Sequence, residues 1–182
     1  MLKRLISIKF LSALTLSTLL IGCATTKTTD PDTIVNTSLV SVEQPASTYL
    51  SEASKSSLPE KRDRYLLLAA HAYINDGNYS SASNILVSMQ KSMVKVPTIQ
   101  AEHIYLNARI VEKVQNKQAA LSLLQYPPHW QLPRWQMATY HQYKARLYKS
   151  LQQPIDQIRQ LSLLSNYLPK TEATQVNDVI WK

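Results

Sequence analysis

The chain has 182 residues, one cysteine, two glycines and a formal net charge of +8 at pH 7. A lone cysteine excludes an internal disulfide and any multi-cysteine metal site. With Gly22 and Gly77 the only glycines, a glycine-rich phosphate loop is excluded too.

The chain starts basic, with Lys3, Arg4 and Lys9, and is mostly apolar from Leu5 to Ile21. A basic end followed by an apolar core is the pattern of an export signal. The stretch is short and carries Lys9, so it makes a poor permanent span. Leu20-Ile21-Gly22-Cys23 then fits the lipobox of bacterial lipoprotein processing. Small Gly22 admits the protease, and the Cys23 thiol accepts a diacylglyceryl group. The competing readings are an ordinary signal peptide with a chance cysteine, or an anchor that stays. Each buried methylene contributes roughly 0.8 kcal/mol, so two or three acyl chains on Cys23 would hold the protein to a membrane stably. Ala24 stands where an aspartate would retain an enteric lipoprotein in the inner membrane, which favours the periplasmic face of the outer membrane. Cleavage removes three basic residues and no acid, leaving 17 basic against 12 acidic residues, or +5. Such a balance suits an acidic partner or an anionic wall, and is also ordinary for a solvated surface.

Residues 23–45 are rich in threonine, with Pro31 and Pro45. That composition buries too little surface to fold and reads as a flexible tether. From Ala46 to Lys182 the pattern is helical, and the expected fold class is all-α. Ser57-Leu58-Pro59-Glu60 reads as a capping box with proline in the first turn. Asp76-Gly77 reads as a helix stop. Between them Leu66, Ala69, Ala70 and Tyr73 share a face at helical spacing. A second helix is expected from about Tyr79 to Met93, burying Ala82, Leu86 and Met89.

Small residues at the crossing, a tight turn and flanking apolar groups resemble the tetratricopeptide repeat. Leu66 replaces the usual first tryptophan. Ile104, Ala108, Val111, Ala120 and Leu124 repeat the pattern 38 residues later, with Gln115-Asn116-Lys117 at the turn. A weaker third copy has Ala145, Tyr148, a turn at Gln152-Gln153-Pro154, then Leu161 and Leu164. Val94–Thr98 and Tyr126–Pro133 are the expected connections. A last helix begins near Thr171, with Val176, Val179 and Ile180 as its apolar face. The expected architecture is an α-solenoid of stacked helix pairs; an irregular helical bundle is the alternative.

Taken together, the lipobox, the tether, Tyr65–Ala70, Gly77–Ala82, Ala138-Thr139-Tyr140 continuing to Pro154, and Asp178-Val179-Ile180-Trp181 resemble the N-terminal part of LpoA-type (LppC) lipoproteins. The resemblance covers nearly all of residues 23–182 and implies an outer-membrane activator of a bifunctional penicillin-binding protein in peptidoglycan synthesis. Members of that family continue into a second domain resembling periplasmic substrate-binding proteins, which is usually credited with touching the synthase. The helical domain, 46–182, is therefore expected to be cut short at its C-terminal side.

The sequence offers no catalytic constellation, cofactor motif or metal site. His71, His103, His129 and His141 match no ligand spacing, and Glu102 and Glu112 are expected on helix surfaces. Two features could bind a partner. One is the proline-stiffened loop Tyr126–Trp135, in which Trp130 and Trp135 would be anchors or would plug a joint between helix pairs. The other is the basic run Lys144, Arg146 and Lys149, interleaved with tyrosines. It would meet glycan strands or an acidic protein, or be a solvated face. The leading reading is a non-enzymatic periplasmic adaptor, with peptidoglycan as a second partner, the membrane reached through Cys23, and no nucleic acid. The rivals are a helical-repeat lipoprotein of outer-membrane protein or pilus secretin assembly, a non-functional remnant, and a peptidoglycan-acting enzyme.

Overall fold

Proline and asparagine set most of the helix starts. In a computed structural model, which describes residues 42–125 and 132–180, Pro59, Pro97 and Pro154 each stand in the first turn of a helix. There the missing N–H costs nothing. The Asn78 and Asn116 side chains cap two further helices by accepting from Ser81 N at 3.1 Å and Ala119 N at 2.7 Å. The signal segment, Cys23, the tether up to residue 41, Trp130 with the rest of 126–131, and Trp181 lie outside the described residues.

Among the described residues there are eight helices and no strand: α1 (Ala46–Lys55), α2 (Pro59–Asn75), α3 (Tyr79–Met89), α4 (Pro97–Val114), α5 (Lys117–Leu124), α6 (Arg134–Ser150), α7 (Pro154–Ser165) and α8 (Lys170–Ile180). The predicted helix pairs are α2/α3, α4/α5 and α6/α7. Helices α2 and α3 both pack on α4, and α5 packs on α6, so each pair leans on the one before. Helix α1 covers α2 at one end and α8 covers α7 at the other.

The three turns solve one problem in three ways. Gly77 takes φ 76°, where a Cβ is unwelcome. The second turn needs no left-handed residue and relies on the Asn116 cap. The third puts Gln152 at φ 57°, which costs a non-glycine residue about 1–2 kcal/mol.

Some predicted boundaries move. The N-cap of α2 is Leu58, without a side-chain cap, so the capping box at Ser57 does not form, although Pro59 is placed as expected. Helix α3 stops at Met89 rather than Met93, and α4 takes Pro97 and Thr98 from the predicted connection. Asp63 shapes that connection. Its carboxylate is fully enclosed, accepts from Arg62 Nε and Nη2 at 3.0 and 2.8 Å, and accepts from Val94 N at 2.8 Å. It thus pins the chain leaving α3 against α2.

The core has two parts. The larger runs from Leu67, Ala70 and Leu86 through Ile99, Leu106 and Ala108 to Leu121, Tyr140 and Leu147. The smaller lies between α1 and α2: Ala46, Tyr49, Leu68, Ala69 and Ala72. Helix α2 is therefore buried on two faces, wider than the single stripe predicted. Each fully buried leucine contributes about 1.5–3 kcal/mol. Glu102, expected on the surface, is 2% exposed, because α4 is enclosed by neighbours on several sides.

Candidate partner-binding groove

Helices α2, α4 and α6, the first members of the three pairs, together line a groove of ≈ 400 Å³. Helix α2 supplies His71 and Asn75; α4 supplies Tyr105 and Arg109. Helix α6 supplies Thr139, Gln142, Tyr143 and Arg146. On each helix these residues lie three or four apart, which places them on one face. Arg109 follows His71 by 38 residues and Arg146 follows Arg109 by 37. The same position of three successive pairs therefore faces the groove.

Long polar side chains join α4 to α6. Gln136, fully enclosed, donates from Nε2 to Thr98 O at 2.9 Å. The Tyr140 hydroxyl donates to Ala101 O at 2.6 Å. The Tyr105 ring lies edge-on to Tyr143 at 5.2 Å and tilted to Tyr140 at 6.0 Å. The Tyr143 hydroxyl donates to Glu112 Oε2 at 2.9 Å, and Arg146 Nη2 donates to the same oxygen at 2.8 Å. The Arg146 guanidinium also sits 4.9 Å from the Tyr143 ring centre, a favourable cation–π distance. On the other wall Arg109 Nη2 donates to the neutral Asn75 Oδ1 at 3.1 Å.

Burial pushes all three tyrosine hydroxyls upward in pKa. At Tyr143 the Glu112 carboxylate adds to the rise, while at Tyr105 the Arg109 and Arg146 charges pull back against it. These phenols stay protonated at physiological pH, and those of Tyr140 and Tyr143 donate the hydrogen bonds just described. The groove lining contains two arginines and no carboxylate. It is a cationic, aromatic-floored surface suited to holding a polar ligand.

The residues singled out from sequence are dispersed. Trp135 is half-buried and packs against the main core. Lys144 is half-buried, and burial lowers its pKa. Lys149 is exposed. Positions two apart on a helix point about 160° away from each other, so Lys144 and Arg146 cannot share a surface. Arg146 alone reaches the groove. Arg109, not singled out from sequence, is its counterpart. Comparing basic residues at the repeat interval, rather than along one helix, would have found the pair. Among the described residues no cluster of three or more His, Cys, Asp or Glu side chains could hold a metal. Likewise, no helix among them is long and apolar enough to cross a membrane.

The family model described as "LppC putative lipoprotein" matches residues 41–182. "Penicillin-binding protein activator LpoA" of Vibrio cholerae serotype O1 is 29% identical over 176 residues, 95% of this chain and 28% of that protein. Its namesake in Photobacterium profundum is 27% identical over 175 residues, 96% of this chain and 28% of that protein. This chain thus spans little more than a quarter of the length of the curated relatives it matches. Among solved structures, the amino-terminal domain of Escherichia coli LpoA aligns with a TM-score of 0.62 and 23% identity, over 84% of this chain and 66% of that one. Full-length LpoA from Haemophilus influenzae aligns with a TM-score of 0.56 and 16% identity, over 74% of this chain and 24% of that one. At these identities the structures speak for the fold.

Proposed function

Since this chain belongs to the LppC lipoprotein family, we propose that it is a non-enzymatic periplasmic adaptor that regulates peptidoglycan synthesis by a bifunctional penicillin-binding protein. Cys23 would carry the lipid and hold the chain at the periplasmic face of the outer membrane, with residues 24–45 as the tether. The observation that carries the reading is the match, over 95% of this chain, to a protein named as a penicillin-binding protein activator. Stacked helix pairs expose continuous surfaces that other proteins use, and the groove across α2, α4 and α6 is the surface here with a built polar lining.

The test is capture from envelope extracts with the whole chain, followed by a transpeptidation assay on the captured synthase. Enrichment of a bifunctional penicillin-binding protein, with faster cross-linking when the chain is added, is the expected result. A folded chain that enriches no such synthase would overturn the reading. The anchor is tested separately: labelled fatty acid should enter the wild type and not Cys23→Ala.

A further inference from the structure

The groove's chemistry says what kind of segment would lie in it. We propose that it docks an extended, acidic segment of a partner protein, with Arg109 and Arg146 pairing its carboxylates and Asn75 and Gln142 meeting its backbone amides. The partner's place in wall synthesis rests on the adaptor reading above; the segment's chemistry rests on the groove alone.

Charge is the first argument. The lining has two guanidiniums and no carboxylate. Glu112, which neutralises part of Arg146, is not among the lining residues. Arginine presents five N–H donors in a fork that matches a carboxylate. The contacts described above use Nη2 of each arginine.

Preorganisation is the second. Arg109 is held by Asn75 and Arg146 by Glu112 and the Tyr143 ring. Less side-chain entropy is then lost when a ligand arrives. Size is the third. Neighbouring helices lie at least ~8–10 Å apart, so a path across all three is roughly 20 Å or more, the span of about six extended residues. The amides of Asn75 and Gln142 each offer a donor and an acceptor, which suits the peptide bonds of an extended chain.

A randomised hexapeptide display library, selected on the whole chain in detergent, tests this. Aspartate or glutamate should be enriched at two positions. The best acidic hexapeptide should weaken by about tenfold or more when its acids become amides. The double variant Arg109→Gln/Arg146→Gln should cause the same loss, and the control Lys91→Gln, at an exposed site outside the groove lining, should change affinity by less than about twofold. If the double variant does not fold, the single variants Arg109→Gln and Arg146→Gln, each of which should weaken the acidic hexapeptide, carry the test. No acidic enrichment, acidic binding indifferent to the arginines, or a preference for soluble wall fragments would each overturn the proposal. Synthase capture with the same variants separates the two readings. Capture by the wild type without acidic enrichment sinks the groove inference only. Arginine-dependent acidic binding without synthase capture sinks the adaptor reading only.

Discussion

Two joints hold the stack together with different chemistry. Where α2 and α3 meet α4, the contact is mainly aliphatic, built on Leu67, Ala70, Leu86, Ile99 and Leu106. Polar ties are added by His103, from Nε2 to Leu86 O at 2.9 Å, and by Arg109, from Nη2 to Asn75 Oδ1 at 3.1 Å. Where α4 meets α6, tyrosines and a glutamine reach across to backbone carbonyls and to Glu112. Alanines let backbones approach closely, whereas tyrosines hold them apart at ring length. The second joint therefore opens a groove with a polar floor. The groove spans both joints, but its aromatic floor and the buried ties from Gln136 and Tyr140 belong to the second.

Leu86→Ala should have the largest effect, because it empties a fully enclosed site in the aliphatic joint. A loss of about 2–5 kcal/mol is expected, read by chemical denaturation. Next comes Asp63→Ala, which strips the latch from Val94 N. Leaving a buried N–H without its acceptor should cost about 1–3 kcal/mol. Asp63→Asn, which keeps an acceptor, should cost less.

Tyr140→Phe probes the polar joint directly. It removes the hydroxyl bonded to Ala101 O and keeps the ring, so about 1 kcal/mol should be lost. If this variant cost as much as Leu86→Ala, the division of labour between the joints would be wrong. Gln152→Gly should act in the opposite direction. Relief of the left-handed conformation outweighs glycine's entropic penalty, and a gain of roughly 0.5 kcal/mol is expected in thermal melts.

The last prediction lies on the pH axis, on the far side of α6. His141 bonds Gln160 Oε1 through Nδ1 at 2.9 Å and stacks on Tyr167 at 5.5 Å. Burial lowers its pKa below the ordinary 6.5, against the opposing pull of the Gln160 bond and with Lys144 adding to the fall. The folded state therefore binds the proton less readily than the unfolded chain. The stability this group contributes is present above about pH 6.5 and is lost as the pH falls through the folded-state value. Melting temperature should drop over that window in the wild type and drop less in His141→Gln.

Much of the scaffold was legible because its signals are local. Pro59, the Gly77 turn, and the recurrence of Ala82 and Leu86 at Ala120 and Leu124 each declare themselves within a few residues or at a fixed interval, whereas Pro97 and Pro154, read as parts of a connection and a turn, open helices instead. The groove was not legible in that way. Reading Lys144, Arg146 and Lys149 along the chain grouped Lys144 with Arg146, which the helix turns to opposite sides, and passed over Arg109. Asp63, flanked by Arg62 and Arg64, carries no local mark of burial; it is enclosed where the connection after α3 folds back on it.

The sequence by itself determined the helical class, the pairing rhythm and most helix ends. These follow from backbone constraints and 3.6-residue periodicity, which act on neighbouring residues. The tertiary structure alone decided which polar residues are enclosed and which line a surface. Glu102 and Gln136 are buried, and Arg109 and Arg146 share a groove, because those outcomes depend on how far apart α2, α4 and α6 lie. That spacing is set by side chains up to some 40 residues apart, such as Tyr140 and Ala101, and no local pattern encodes it.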